Sequence, residues 1–201
     1  MLRERWCVTL AAALVVLTFG AIQSPAKAQQ QPIELKLAYY LGDQHAMSQW
    51  LIKWSEHLEK ASNGRIVVKR FPAAQMGPVQ DHYDFARTGK ADVAFFLHGA
   101  TPGRFPLTEI VKLPYLVGSA EIGTKTLNDP ALRAKYLDAE HADVKVLLLL
   151  TNQPGQIHTT KTPINTTKDM RGLRIRFPSP TIRDFIGALG ARPVGVQATE
   201  Q

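Results

Sequence analysis

The chain has 201 residues, 45% of them hydrophobic and 20% charged, the balance of an ordinary globular protein with room for one domain or two small ones. Its net charge of +7 comes from basic residues scattered along the sequence, without a Lys/Arg run or interleaved aromatics, which argues against nucleic acid as a partner. There is one cysteine, Cys7.

Taken in chain order, the first element is not part of a fold. Arg3 and Arg5 precede an apolar run from Val8 to Ile22, and Ala26-Lys27-Ala28 supplies small residues for cleavage, so residues 1–28 read as a secretory signal peptide. The run is shorter than the roughly 20 residues that span a bilayer. Cleavage after Ala28 removes Cys7, three basic residues and one acidic one, and leaves a mature chain of net charge +5 without thiols. Neither disulfides nor thiolate metal sites are then available, and an exported domain of this kind points to a bacterial periplasm.

Ile33, Leu35, Leu37 and Tyr39 alternate with polar partners as a strand does. Behind Asp43 as a plausible N-cap, Met47, Trp50, Leu51, Trp54 and Leu58 recur at helical spacing until Asn63-Gly64 stops them, and the Trp50/Trp54 pair reads as core packing of that helix. A strand over 66–71 follows, then a helix opened by Gly77-Pro78 and ended by Gly89, then an apolar strand over 91–96. This β-α-β-α-β order predicts a mostly parallel sheet covered on both faces.

A stretch punctuated by Gly and Pro comes next, followed by a polar helical segment from about Ser119 to Glu140, interrupted at Pro130. The apolar run 144–150 reads as a strand buried on both sides. The last part predicts a strand over 173–177, a helix over 180–189 capped by Ser179 and stopped by Gly190, and a strand over 193–196. Thr199-Glu200 has the look of a further helix N-terminus, so the chain is expected to be a piece of a longer protein.

The common chemical signatures are missing. Gly89-Lys90 lacks both the earlier glycine and the following Ser/Thr of a phosphate-binding loop, and GxGxxG, GxSxG and HExxH do not occur. His45, His57, His82, His98, His141 and His158 are dispersed, which favours surface or turn histidines over a metal set. His98 follows a strand's C-terminal end and is a candidate to line a cleft. In "GLRIRFPSP", period-two geometry turns Leu173, Ile175 and Phe177 one way and Arg174 and Arg176 the other. Either that arginine face is solvated, or a guanidinium reaches a cleft. Position then favours Arg176, at the strand end beyond which ligands sit in open α/β sheets.

These residues resemble a family. "KDMRGLRIRFPSP" followed by "ALGARPVGVQATEQ" is similar to a signature segment of the DctP-type solute receptors of tripartite ATP-independent periplasmic (TRAP) transporters, and "LKLAYYL", "GRIVVKRFPAAQMG", "GKADVAFF" and "KLPYLV" match in order before it. The resemblance covers essentially residues 33–201. It implies an α/β, periplasmic-binding-protein-like two-lobe clamshell with mostly parallel sheets, residues 29–150 forming the first lobe and 151–201 the start of a second, incomplete one. It implies a periplasmic receptor without catalysis or cofactor, which binds a small organic acid between the lobes and delivers it to the TRAP membrane subunits. Arg176 falls on the arginine that pairs with the ligand carboxylate and Glu200 on a family glutamate. Tyr39, Gln75, Phe96 and His98 are cleft candidates by position, and Gln156 and His158 stand where many members carry a second basic residue. A lobe ending at Gln201 would leave apolar surface exposed. The alternatives are a secreted α/β enzyme acting on a small acidic substrate and a ligand-sensing domain of a regulator. The missing catalytic signatures disfavour the first, and the signal peptide disfavours the second.

Overall fold

The computed structural model describes residues 31–196; the signal segment with Cys7 and the Thr199–Glu200 pair lie outside the described residues. Three parallel strands come first: β1 (Ile33–Tyr39), β2 (Ile66–Phe71) and β3 (Val93–Phe95), in the order β2-β1-β3. Ile33 pairs with Ile66 and Leu37 with both Arg70 and Val93. As the central strand, β1 is covered on both faces, and Leu37, Ala38 and Tyr39 are all fully buried. Leu37 and Tyr39 pack with Leu51 and Val68 on one side, while Ala38 packs with Phe85 and Ala91 on the other.

Helices supply those covers. Helix α1 (Ala46–Ala61) offers Leu51, with Trp54 and Leu58 around it, and ends at Ser62. Asn63 and Gly64 then take left-handed conformations, with φ of 54° and 74°. The N-cap is His45, whose Nδ1 accepts from Met47 N–H, rather than Asp43, which accepts from the Tyr39 hydroxyl. Helix α2 (His82–Thr88) offers Phe85 to the opposite face. His82 is fully buried, with its two ring nitrogens each 3.1 Å from a carbonyl oxygen, of Phe95 and of Gly77, so it joins the end of β3 to the turn before α2 and is not a surface histidine.

The segment expected as a helix interrupted at Pro130 is helical on both sides of that break. Helix α3 (Ala120–Leu127) is capped by Ser119, and after Asp129 the chain winds through single turns from Pro130 to His141. The run 144–150 forms no ladder among the described residues, contrary to the strand expected there. Its apolar side chains still find a core, Leu149 and Val146 packing with Leu127, Leu137 and Leu132. Its backbone is held by side chains of α3 and the residue after it. Asn128 Oδ1 accepts from Leu149 N–H at 3.1 Å, its amide donates to the Leu149 carbonyl, and Thr124 Oγ1 accepts from Thr151 N–H.

A second parallel pair closes the chain: β4 (Arg174–Arg176), α4 (Pro180–Ala188) and β5 (Arg192–Val194). Ile175 and Phe177 pack with Ile182 and Ile186 of α4 onto Met170. Pro180 occupies the first turn of α4 as expected, and Ser179 is its N-cap residue without a side-chain capping bond. The architecture is thus α/β with parallel sheets, and from Ile33 onward the described residues belong to one compact unit. Several large apolar residues remain exposed, among them Leu113, Leu116, Leu147 and Leu148.

Because Asn128 satisfies both backbone groups of nearly buried Leu149, Asn128→Ala is expected to destabilise the protein by about 2–3 kcal/mol, read as a lowered urea midpoint with unchanged slope.

Candidate functional site

The residues that immediately follow three strands line one recess: Tyr40 after β1, Phe96 after β3 and Phe177 after β4, with Arg176 at the end of β4 itself. Parallel strands place all their C-terminal ends on one side of a sheet, where ligands of open α/β folds bind. The recess measures about 2560 Å³. A closed small-molecule site holds roughly 300–1,000 Å³, so this is an open cleft. Its walls carry Trp50, Trp54, Tyr40 and Phe96, with the Tyr40 ring stacked parallel to Phe95 at 5.8 Å.

Arg176 owes its direction to strand pleating. Ile175 and Phe177 are committed to the core under α4, so Arg174 and Arg176 project from the other face and are exposed. Arg176 makes no ion pair among the described residues. Burial pushes the Tyr40 phenol above its ordinary pKa, and the Arg176 charge acts on it in the opposite sense. The guanidinium is therefore within electrostatic reach of the β1 end.

The loop after β3 forms the floor. Its short turn (His98–Ala100) lies against the start of α4 so closely that a Cβ on Gly99 would come within 3.0 Å of Ser179 Cβ and run into Lys112 Nζ. Glycine is the residue that permits this approach. Lys112 is ion-paired with Glu109, and both line the recess. Beneath them His98 Nε2 lies 2.9 Å from Nε2 of buried His141, whose Nδ1 lies 2.9 Å from the Leu137 carbonyl oxygen. Phe105 stacks on His141 at 4.9 Å, and Phe96 sits 4.6 Å from His98. Glu140 pins this arrangement, accepting from Leu107 N–H, Thr108 N–H and the Thr108 hydroxyl. Burial above all, then the neighbouring His141 and Lys112, holds the His98 pKa down at about 4.

Of the residues singled out in the sequence, Arg176, Phe96, His98, Gln156 and His158 all line the recess. Tyr39 does not: its ring is fully buried in the core of the first sheet, and Tyr40 takes the place at the rim. Gln75 sits exposed in the turn after β2, outside the lining, and Glu200 lies outside the described residues. Trp54 packs on the core as expected, but Trp50 is 46% exposed and both tryptophans line the recess. Lys112 and His141 carried no sequence signal, since their places follow from tertiary contacts. Among the described residues no group of three His, Cys, Asp or Glu side chains could hold a metal ion, and no helix is long and apolar enough to cross a membrane.

A pH profile follows from His98. As pH falls through its ordinary value near 6.5 the unfolded chain takes up a proton that the folded ring resists until about pH 4. Stability is therefore expected to fall across that window, by on the order of 3 kcal/mol, and to level off below it. His98→Phe should flatten this part of a denaturation profile measured from pH 7 to pH 4.

Residues 37–200 match the model of bacterial extracellular solute-binding protein, family 7, called DctP. A solute-binding protein of Roseobacter denitrificans is 26% identical over 190 residues, covering 93% of this chain and 58% of that protein. Among solved structures, a TRAP solute-binding protein of Rhodoferax ferrireducens, in complex with copurified benzoate, is 32% identical with a TM-score of 0.73 over 82% of this chain and 51% of its own. A TRAP periplasmic solute-binding protein of Bordetella bronchiseptica with bound mandelate is 33% identical with a TM-score of 0.66, over 81% and 52%. The chain thus spans about half the length of the solved structures it matches. With the family model matching most of its length and the C-terminal ends of its parallel strands opening on a cleft, the chain belongs to the DctP family of bacterial extracellular solute-binding proteins.

Proposed function

We propose that the protein is a periplasmic receptor that captures a small carboxylic acid at Arg176, within a cleft between two lobes, and delivers it to a TRAP-type membrane transporter. The observation that carries this reading is an exposed guanidinium, without an ion-pair partner among the described residues, at the C-terminal end of a parallel strand in an aromatic-walled recess. A guanidinium offers two parallel N–H donors to a carboxylate and stays charged at every relevant pH. In a site closed around the acid such a charge-assisted pair contributes roughly 1.5–3 kcal/mol. The aromatic walls suit an acid with a flat apolar body. In the Rhodoferax and Bordetella relatives that ligand is benzoate or mandelate, which supports aromatic monocarboxylates as the first class to try here.

Closure follows from the same chemistry. An acid that touches both lobes favours the closed state by its differential affinity, and the closed form is the one the membrane subunits read. Export through the signal segment 1–28 places the receptor in the periplasm.

At a hundredfold excess over Kd, a bound acid stabilises by about 2.7 kcal/mol, equivalent to a Tm rise of about 5–10 °C for a chain of this size. A thermal-shift screen with benzoate, mandelate and other small acids, against neutral sugars as controls, is expected to show that rise for at least one acid. Arg176→Ala should abolish it, as should Arg176→Lys, which keeps the charge but loses the fork. Shifts from sugars alone would overturn the carboxylate reading, and turnover of a binding acid would indicate an enzyme.

A further inference from the structure

The buried histidine pair fixes where hydrogen atoms sit on the cleft floor. The Leu137 carbonyl can only accept, so His141 Nδ1 carries the hydrogen of that 2.9 Å bond. A neutral His141 then presents a bare Nε2, and the 2.9 Å bond from His98 requires the hydrogen on His98 Nε2. The pair holds two N–H groups in this arrangement. A third proton would place a charge on two touching rings enclosed by Phe96, Phe105 and Tyr83, against the cost of desolvating it. His98 is thereby left with an unprotonated Nδ1, on the side of the ring turned away from His141.

That nitrogen has no hydrogen-bond partner among the described residues, whose one buried side-chain polar atom without a partner is Ser48 Oγ. Nδ1 is therefore not among the fully buried atoms left unpaired in the described residues, and His98 lines the recess. Gly99 touches Ser179, which follows Arg176 by three residues, at most about 11 Å of chain. Arg176 and His98 thus line the same recess, on segments joined through the Gly99–Ser179 approach.

We propose that His98, held in a single tautomer by His141 and the Leu137 carbonyl, is a specificity-determining residue that accepts a hydrogen bond from a hydroxyl of the bound acid, so that the receptor prefers hydroxy acids to their deoxy counterparts. This rests on the carboxylate-receptor reading above. A deoxy acid would cover Nδ1 without pairing it, and discrimination of this kind comes from the unpaired group.

The experiment measures binding by calorimetry for two probe pairs, 3-hydroxybenzoate against benzoate and mandelate against phenylacetate, which bring the hydroxyl to different positions. Wild-type protein is expected to favour the hydroxy acid of at least one pair by on the order of tenfold. His98→Phe, which keeps a flat ring among its aromatic neighbours, should bring that ratio close to one. ¹⁵N NMR of the wild-type imidazoles should show His98 protonated at Nε2 and bare at Nδ1, a readout that does not depend on the variant folding. A proton on Nδ1, equal affinity within both pairs, or a preference that survives His98→Phe would overturn the proposal. If acids bind, depend on Arg176 and show no such preference, this inference fails alone; if no acid binds at all, it falls together with the receptor reading.

Discussion

Parallel pairing is the constraint from which the rest follows. A parallel strand cannot hand the chain to its neighbour by a tight turn, so each crossover carries a helix or long loop across a face of the sheet. In this protein that requirement covers β1 on both sides, which is why Leu37, Ala38 and Tyr39 are all fully buried although they point alternately to opposite faces. It also aligns the strand ends. Tyr40, Phe96 and Phe177 emerge together as the first residues beyond their ladders, and the cleft is the space they leave.

The loop after β3 then converts a gap into a floor. Its glycine lets the backbone approach α4, its histidine is tied to a second histidine, and that second ring is held by the Leu137 carbonyl and the stacked Phe105. Polar groups under a cleft are costly unless satisfied, and here each bond made orients the next. The arginine face of β4 needs no such support, because the core beneath Ile175 and Phe177 already aims it.

Much of this was legible in the sequence where one periodicity decides the outcome. The alternation around Arg176, the proline that starts α4 and the Asn63-Gly64 stop of α1 are local signals, and the structure places those elements where the residues indicate. The exchange of Tyr39 for Tyr40 at the rim has a physical reason: the end of β1, Leu37 to Tyr39, is buried on both faces and gives no polar alternation to tell one tyrosine from the next. The buried roles of His82 and His141 were illegible for a different one, since their partners are carbonyls and rings 4–43 residues away in the chain and no composition rule encodes them. Trp50 fits its helix's apolar stripe, yet lies at the edge of the core where the cleft begins. The run 144–150 has the composition of a central strand, but composition cannot supply a neighbour to pair with.

That last feature has a bearing on how the protein behaves in a crowded compartment. The run carries β-branched and leucine side chains with one lysine, its backbone is clamped at Leu149 and Thr151, and Leu147 and Leu148 face solvent. An apolar segment that joins no ladder among the described residues is a template for any strand that meets it, including the same segment in another molecule. Lys145 is the only charge within it to oppose such self-association. Self-association of this chain thus depends on how that segment is covered, and Asn128 and Thr124, which hold its backbone at Leu149 and Thr151, supply part of that cover.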